Sequence, residues 1–226
     1  MQEKYLALLQ QTTLFRGVDG DKLPLMLNCL SAYSKKYAKD EYVLHWGEQT
    51  AALSIVLSGS VFLIRDDYAG NREILAGVLP GQLFAETFAC LQQERLNFDV
   101  IAQEATEILF LDIQKVLNIC TSACEFHNRV IQNLLYLLAE QNLELSVKMG
   151  HICQRTTREK LLSYLVEQKQ KHHSADFVIP FNRQQLADYL SVDRSAMCKE
   201  LSRMQKEGLL SYHKNHFCLL LPAEQS

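Results

Sequence analysis

Hydrophobic positions change their period along this chain, and each change predicts a different kind of element. Near the start, Leu23, Met26, Leu27 and Leu30 recur at helical spacing, so one or two short helices are expected over residues 1–28. From about residue 36 the runs shorten and become β-like. YVLHW, LSIVLSG, SVFLIRDD and REILAGVL are bounded by Gly47, Gly59, the Gly70 and Asn71 pair, and Gly81, and IAQEATEILFLD adds a strand pair over 101–112. Strands at about ten-residue spacing with glycine punctuation predict an antiparallel barrel or roll.

After Asp112 the pattern turns helical, with a long segment from about 121 to 149. Ile131, Leu134, Leu138 and Leu145 form a stripe on it, interrupted by Gln141. Such a stripe needs a cover, either its own domain or a second copy of the chain. The length of the helix and a stripe running to its end favour a dimer seam, with Gln141 as a register-setting polar residue.

A third regime follows. RTTREKLLSYLVEQKQ (155–170) is amphipathic, with Leu161, Leu162, Leu165 and Val166 inward, and KHHSADFVIPF leads through a loop into a short strand. Residues 183–207 then fit a helix-turn-helix. Leu186, Ala187 and Leu190 form the inner face of its first helix, Ser191 and Val192 the turn, Asp193 the cap of the second helix, and Ala196, Leu201 and Met204 the inner face of that helix. Arg194, Ser195 and Lys199 fall on the outer face, where such side chains can donate to guanine edges or pair with base or phosphate. Asn182, Arg183 and Gln184 open the first helix, whose positive end favours a phosphate. A hairpin turning at HKNH, with His213, Lys214 and Asn215 at its tip, would be a wing.

Composition changes this picture little. The 226 residues suit one large or two modest domains, and 48% hydrophobic with 22% charged residues is ordinary for a globular protein. MQEKYLALLQQTTLF lacks the basic start and apolar run of an export signal, and no apolar stretch approaches a membrane span, so a cytoplasmic protein with no membrane partner is expected. Seven dispersed cysteines then predict thiols rather than a disulfide framework. The net charge of −3 hides an asymmetry: residues 1–150 hold 12 basic against 18 acidic side chains, and residues 151–226 hold 11 against 8. That bias fits two parts with different partners but does not by itself establish nucleic-acid binding.

The order IVLSGSVFLIRDD…GNREILAGVLPGQLFAE, long helix, LADYLSVDRSAMCKELSRMQKEGLL closely resembles the Crp/Fnr family of bacterial transcription regulators, over roughly residues 12–222. The resemblance implies an α+β fold: an N-terminal antiparallel β-roll of the jelly-roll type with flanking helices, a long dimerisation helix, and a C-terminal winged helix-turn-helix. The corresponding boundaries are 1–119, 120–149 and 150–226. It implies a homodimer, a small-molecule effector in the roll, double-stranded DNA with a two-fold operator, and RNA polymerase as partner. The family's base-reading positions fall on Arg194, Ser195 and Lys199, its phosphate contacts on Asn182, Arg183 and Gln184, and its wing contact on His213. Ser195 stands where the family often has Glu, and Lys199 where Arg is common. Lysine lacks the planar fork, so a half-site related to the best-known operators, but different from them, is expected.

The effector cassette departs further. Cyclic-nucleotide binders of this family carry Gly-Glu and, about ten residues on, Arg-Ser or Arg-Thr, the arginine neutralising the cyclic phosphate. Here Ala85 replaces the glycine, Glu86 stands in place, and Leu96 and Asn97 occupy the Arg-Ser positions. Arg95 is one position off, which in a helix rotates a side chain by about 100° and in a strand reverses its face. The effector is expected to be something other than a cyclic nucleotide, and its identity and any cofactor are open.

Other chemistries find weaker support. The closely spaced N-terminal cysteines that hold iron–sulfur clusters in some relatives are absent, with Cys29 alone near the start. Cys120 and Cys124, one turn apart near His127, suit a metal or redox pair but more often pack as small apolar residues. His213, His216 and Cys218 superficially suggest zinc without a fourth ligand. His45, Cys90 and His127 are conceivable haem ligands. Cys198 lies within the second helix of the helix-turn-helix, where a packed residue is the plainer reading of a thiol. No phosphate loop, nucleophile elbow or His-Glu-x-x-His zinc motif supports an enzyme, and a module acting through protein contacts alone would show no salt-sensitive DNA binding.

Overall fold

The computed structural model describes residues 3–66, 72–118 and 125–220, whose contacts divide the chain into units spanning 1–139 and 140–226. The first unit opens with a 3-10 turn (Glu3–Tyr5), α1 (Leu6–Gln11) and α2 (Leu23–Cys29). Eight strands follow: β1 (Tyr33–Tyr37), β2 (Tyr42–Leu44), β3 (Ala52–Ser58), β4 (Val61–Asp66), β5 (Arg72–Val78), β6 (Leu83–Phe84), β7 (Asp99–Ala102) and β8 (Thr106–Asp112). Between β6 and β7 lies α3 (Glu86–Leu91), and α4 (Ile113–Leu117) and α5 (Glu125–Ile152) come after β8. The strands form two antiparallel four-stranded sheets, β1-β8-β3-β6 and β2-β7-β4-β5.

Strand alternation explains the two cores of this unit. Leu53, Ile55 and Leu57 of β3, with Leu109 and Leu111 of β8, face a cluster built from α1, α2, α4 and the first turns of α5. Val56, Ile108 and Phe110 face the other way, into the roll, where they meet Val61, Val78, Phe84, Val100 and Ala102 from both sheets. β3 and β8 are therefore buried on both faces, which is why they read as near-continuous apolar runs. β1, YSKKY, gives no such signal because it is an edge strand with only Tyr37 buried. Asp112 ends β8 and caps α4, its Oδ1 accepting from Gln114 N at 2.9 Å.

The second unit contains the end of α5, then α6 (Thr157–His172), β9 (Asp176–Val178), α7 (Arg183–Tyr189), α8 (Arg194–Lys206), β10 (Leu210–His213) and β11 (His216–Leu219). The last three strands pair as β10-β11-β9. Thr156 and Glu159 close a reciprocal capping box at the start of α6. The core joins Leu161, Tyr164 and Leu165 of α6 to Leu186, Ala187 and Leu190, to Met197, Leu201 and Met204, and to Phe217 and Leu219. One inward position differs from expectation. Ala196 is exposed and Met197 is buried, because α8 starts directly after its Asp193 cap and so presents 197, 201 and 204 to the core. Among the described residues no helix is long and apolar enough to cross a membrane. Cys120, Cys124 and the turn at Gly70 and Asn71 lie outside the described residues.

Gly59, which joins β3 to β4, has a φ of 76°, and a Cβ there would come within 2.4 Å of Thr106 Oγ1 and 2.6 Å of the Ala105 carbonyl oxygen. Gly59→Ala is predicted to destabilise the protein by about 2 kcal/mol or more, read as a lowered midpoint in urea denaturation.

Candidate DNA interface and effector chamber

The geometry of the C-terminal unit begins with its caps. Asn182 accepts from Gln185 N at 3.0 Å, and Gln185 Oε1 in turn accepts from Asn182 N at 2.9 Å. Asn182 therefore caps α7 with its side-chain carbonyl oxygen. Asp193 caps α8, accepting from Ala196 N at 2.8 Å and from the Ser195 hydroxyl at 2.5 Å. The bond from Ser195 is the main cause holding the Asp193 carboxyl below its ordinary range. Ser191 takes a positive φ of 51° at the turn between the helices, the left-handed conformation that reverses the chain.

Arg194 and Lys199 are exposed and make no hydrogen bond or ion pair through their side chains among the described residues. With Ser195 they occupy the outward face of α8, which continues along Ser202, Arg203 and Lys206. Arg203 is engaged by Glu207 at 3.1 Å. Arg158 of α6 reaches Glu200 at 3.4 Å and Glu207 at 2.5 Å, bracing the far end of α8. Gln184 is exposed and donates to Asp188 at 2.8 Å, and His213 is exposed at the wing, where Lys214 turns the chain with a φ of 54°.

Arg183 has a placement that spacing alone does not suggest. Its guanidinium lies over the rings of Tyr212 and Phe217, 4.7 and 4.9 Å from their centroids, and so ties α7 to the wing. Burial lowers its pKa, and its Nη2 is buried without a hydrogen-bond partner. The side chain therefore braces the wing instead of standing free at the helix start. His213 and His216 are register partners across the hairpin, and His216 pairs with Asp176. Among the described residues no group of three or more potential ligands could hold a metal.

In the roll, Glu86 is buried in the first turn of α3, and Ala85 before it takes a φ of 58°, the left-handed conformation that glycine adopts without strain. Leu96 is 1% exposed and packs with Phe84, Phe88, Phe98 and Phe110. Phe88 and Phe98 meet edge to face at 5.4 Å. The segment is locked from outside: Leu96 N donates to Glu48 O and Gly47 N to Leu96 O, each at 2.8 Å. Arg95 is exposed and donates to the Gly47 carbonyl at 2.7 Å, and Asn97 is exposed as well. The arginine is thus committed to a backbone carbonyl at the surface, while apolar Leu96 is the side chain that enters the roll.

The stripe on α5 divides. Leu134 is buried in the helical core of the first unit with Val130, and Leu138 packs partly against it. Ile131 is half-buried, and Leu145 is 61% exposed. Leu135, Tyr136, Leu143 and Met149 are exposed as well. Ile131, Leu135, Leu138, Asn142, Leu145 and Met149 follow a strict four-three heptad spacing, with exposed Asn142 as the polar member in place of Gln141. Leu134 belongs to the inward face because α5 must cover the apolar outer side of the roll.

Unseen from sequence is a groove of about 860 Å³ in the second unit, lined by Gln141, Leu145, Lys148, Tyr164, Phe181 and Tyr189 among others. Beside it, buried His151 bonds Ser163 Oγ through Nδ1 and Glu167 Oε2 through Nε2, both at 2.8 Å. A histidine spaced twelve and sixteen positions from its partners leaves no local signal in the chain.

A β-roll sensor joined to a winged helix defines a ligand-responsive DNA-binding regulator. Residues 34–123 match the cyclic nucleotide-binding domain and residues 159–224 the Crp-like helix-turn-helix domain. The chain belongs to the Crp/Fnr family of transcription regulators. A cyclic AMP receptor protein of Thermus thermophilus is 24% identical over 202 residues, 89% of each chain. The fold is shared with the catabolite activator protein of Thermus thermophilus (TM-score 0.51, 24% identity, 92% of this chain and 93% of that one). It is shared also with the c-di-GMP responsive global regulator CLP of Xanthomonas campestris (TM-score 0.55, 16% identity, 90% of this chain and all of that one).

Burial opposes ionisation of Glu167, but hydrogen bonds from Lys171 and His151 outweigh it and hold the carboxyl below its ordinary 4.5. A carboxyl depressed in the folded state stabilises above its unfolded pKa, and that contribution is lost as pH falls through the folded value. Acidification below about pH 4.5 is therefore predicted to lower the urea midpoint less steeply in Glu167→Gln than in the unsubstituted protein.

Proposed function

We propose that this regulator acts in the cytoplasm as a homodimer on a two-fold-symmetric double-stranded DNA operator, under control of a small-molecule effector that is not a cyclic nucleotide. The observation that carries the DNA reading is the exposed, unpaired Arg194 and Lys199 on one face of a helix capped by Asp193. Each can donate to guanine O6 and N7, while Asn182 and Gln184 at the opening of α7 and His213 on the wing reach the phosphates. Ser195, tied to Asp193, offers its hydroxyl oxygen as an acceptor. RNA polymerase is the partner through which binding is read out.

The heptad on α5 supports pairing of two copies, since Leu135, Leu145 and Met149 are otherwise exposed to water. Two α8 helices related by a dyad would then enter successive major grooves about one DNA turn apart. The family's division puts the end of the sensor near residue 119, and within the described residues α5 (Glu125–Ile152) supplies the seam.

Exclusion of cyclic nucleotides rests on charge. A cyclic phosphate buried beside Leu96 would lack its guanidinium partner, and an unpaired buried charge costs several kcal/mol. A haem reading is not favoured: both ring nitrogens of His127 are engaged, by Cys29 Sγ and by the Lys115 carbonyl, and burial raises the pKa of the Cys90 thiol.

Selection from a randomised duplex pool, followed by anisotropy titration, tests the reading. Lys199→Ala and Arg194→Ala are each predicted to weaken operator binding by about ten- to a hundredfold and to relax one base position. Affinity should fall steeply with salt; binding that ignores salt, or no binding to any duplex, would contradict it.

A further inference from the structure

Cys29 closes α2 and is exposed, and His127 stands in the first turn of α5 with 2% exposure. The two meet, Cys29 Sγ lying 3.9 Å from His127 Nδ1. On its other side, His127 Nε2 is 2.8 Å from the Lys115 carbonyl oxygen. A carbonyl only accepts, so Nε2 carries the proton and the neutral ring presents the Nδ1 lone pair to the thiol. This is the arrangement in which an imidazole withdraws a thiol proton and a thiolate–imidazolium pair results. The end of α2 opposes a thiolate with its carbonyl dipoles, which leaves the imidazolium as the main stabilising charge. Lys115 adds a second positive group nearby, its ammonium donating to Ser31 Oγ two residues on from Cys29.

We propose that Cys29 and His127 form a reactive thiol–imidazole site open to hydroperoxides and other soft electrophiles. With a hydroperoxide, the Cys29 thiolate attacks the distal oxygen, an S–O bond forms and the O–O bond breaks. Sulfur is oxidised by two electrons to the sulfenic acid, and the peroxide is reduced. The departing oxygen takes the imidazolium proton and leaves as water or an alcohol. The site differs from the roll interior and does not depend on the DNA reading. Its placement gives it a consequence: His127 belongs to α5, so loss of the Cys29–His127 contact is felt at the root of the helix whose next turns, through Val130 and Leu134, pack on the roll.

Cys153 is exposed and its thiol makes no hydrogen bond among the described residues, and so serves as an internal reference. Full-length reduced protein is treated with iodoacetamide near neutral pH, and alkylation of each cysteine is timed by peptide mass spectrometry. Cys29 is expected to react about tenfold faster than Cys153, and His127→Gln to bring it to within about twofold of that reference while Cys153 is unchanged. Cys29 reacting no faster than Cys153 in the unsubstituted protein overturns the proposal, as does a fast Cys29 that persists in a folded His127→Gln. Should that variant fail to fold, the sulfenic acid decides. Dimedone capture at Cys29 in preference to Cys153 after hydrogen peroxide supports the site, and equal capture overturns it.

Discussion

β3 and β8 pair through six register positions, from Ala52 opposite Asp112 to Ser58 opposite Glu107, and almost every side chain on them is buried. A two-stranded core of this kind is stable only if both of its faces are covered, since each apolar side chain removed from water contributes roughly 1.5–3 kcal/mol. Helices α1, α2, α4 and the root of α5 cover one face, and the second sheet covers the other across the roll interior. The wall formed by these two strands therefore has the candidate effector chamber on one side and the start of the long helix on the other. A ligand that repacks Val56, Ile108 or Phe110 presses on the same strands that send Leu53, Ile55, Leu57, Leu109 and Leu111 into the helical core. The coupling between chamber and helix is one of direct packing through a shared sheet.

On this account, control of DNA binding is a population shift carried by α5. Val130 and Leu134 fix the rotation of the helix on the first unit, and that rotation decides which residues face outward to form the proposed seam. In the second unit, His151 anchors the last turn of the same helix to Ser163 and Glu167 of α6. Arg158 then links α6 to Glu200 and Glu207 around α8. Arg183, stacked on Tyr212 and Phe217, keeps the wing at a set distance from α7. Arg194 and Lys199 can stand exposed because the capping and stacking residues behind them hold the backbone in place.

Much of this is legible in the chain. Near-continuous apolar runs mark β3 and β8, short β-like runs between glycines mark β4 and β5, and the Asp193 cap with the Leu186, Ala187 and Leu190 face marks the helix-turn-helix, because in each case local chemistry and burial agree. β1 escapes such a reading because an edge strand facing water has no apolar alternation to show. The α5 stripe reads as one side when it serves two: Leu134 and Leu135 are neighbours in sequence yet point about 100° apart, one into the core and one to solvent. The exchange of Ala196 for Met197 has the same origin. Arg183 stacking, the Cys29–His127 contact and the His151 bonds all join residues that only the fold brings together, so spacing carries no trace of them.

On the proposed reading, buried Leu96 stands where a guanidinium would neutralise a cyclic phosphate, and Arg95 is held at the surface by the Gly47 carbonyl. Isothermal titration of the full-length protein with cyclic AMP tests this most directly. The account predicts no saturable heat up to a ligand concentration of about 1 mM. Saturable binding of one cyclic AMP per chain with a micromolar Kd would contradict it.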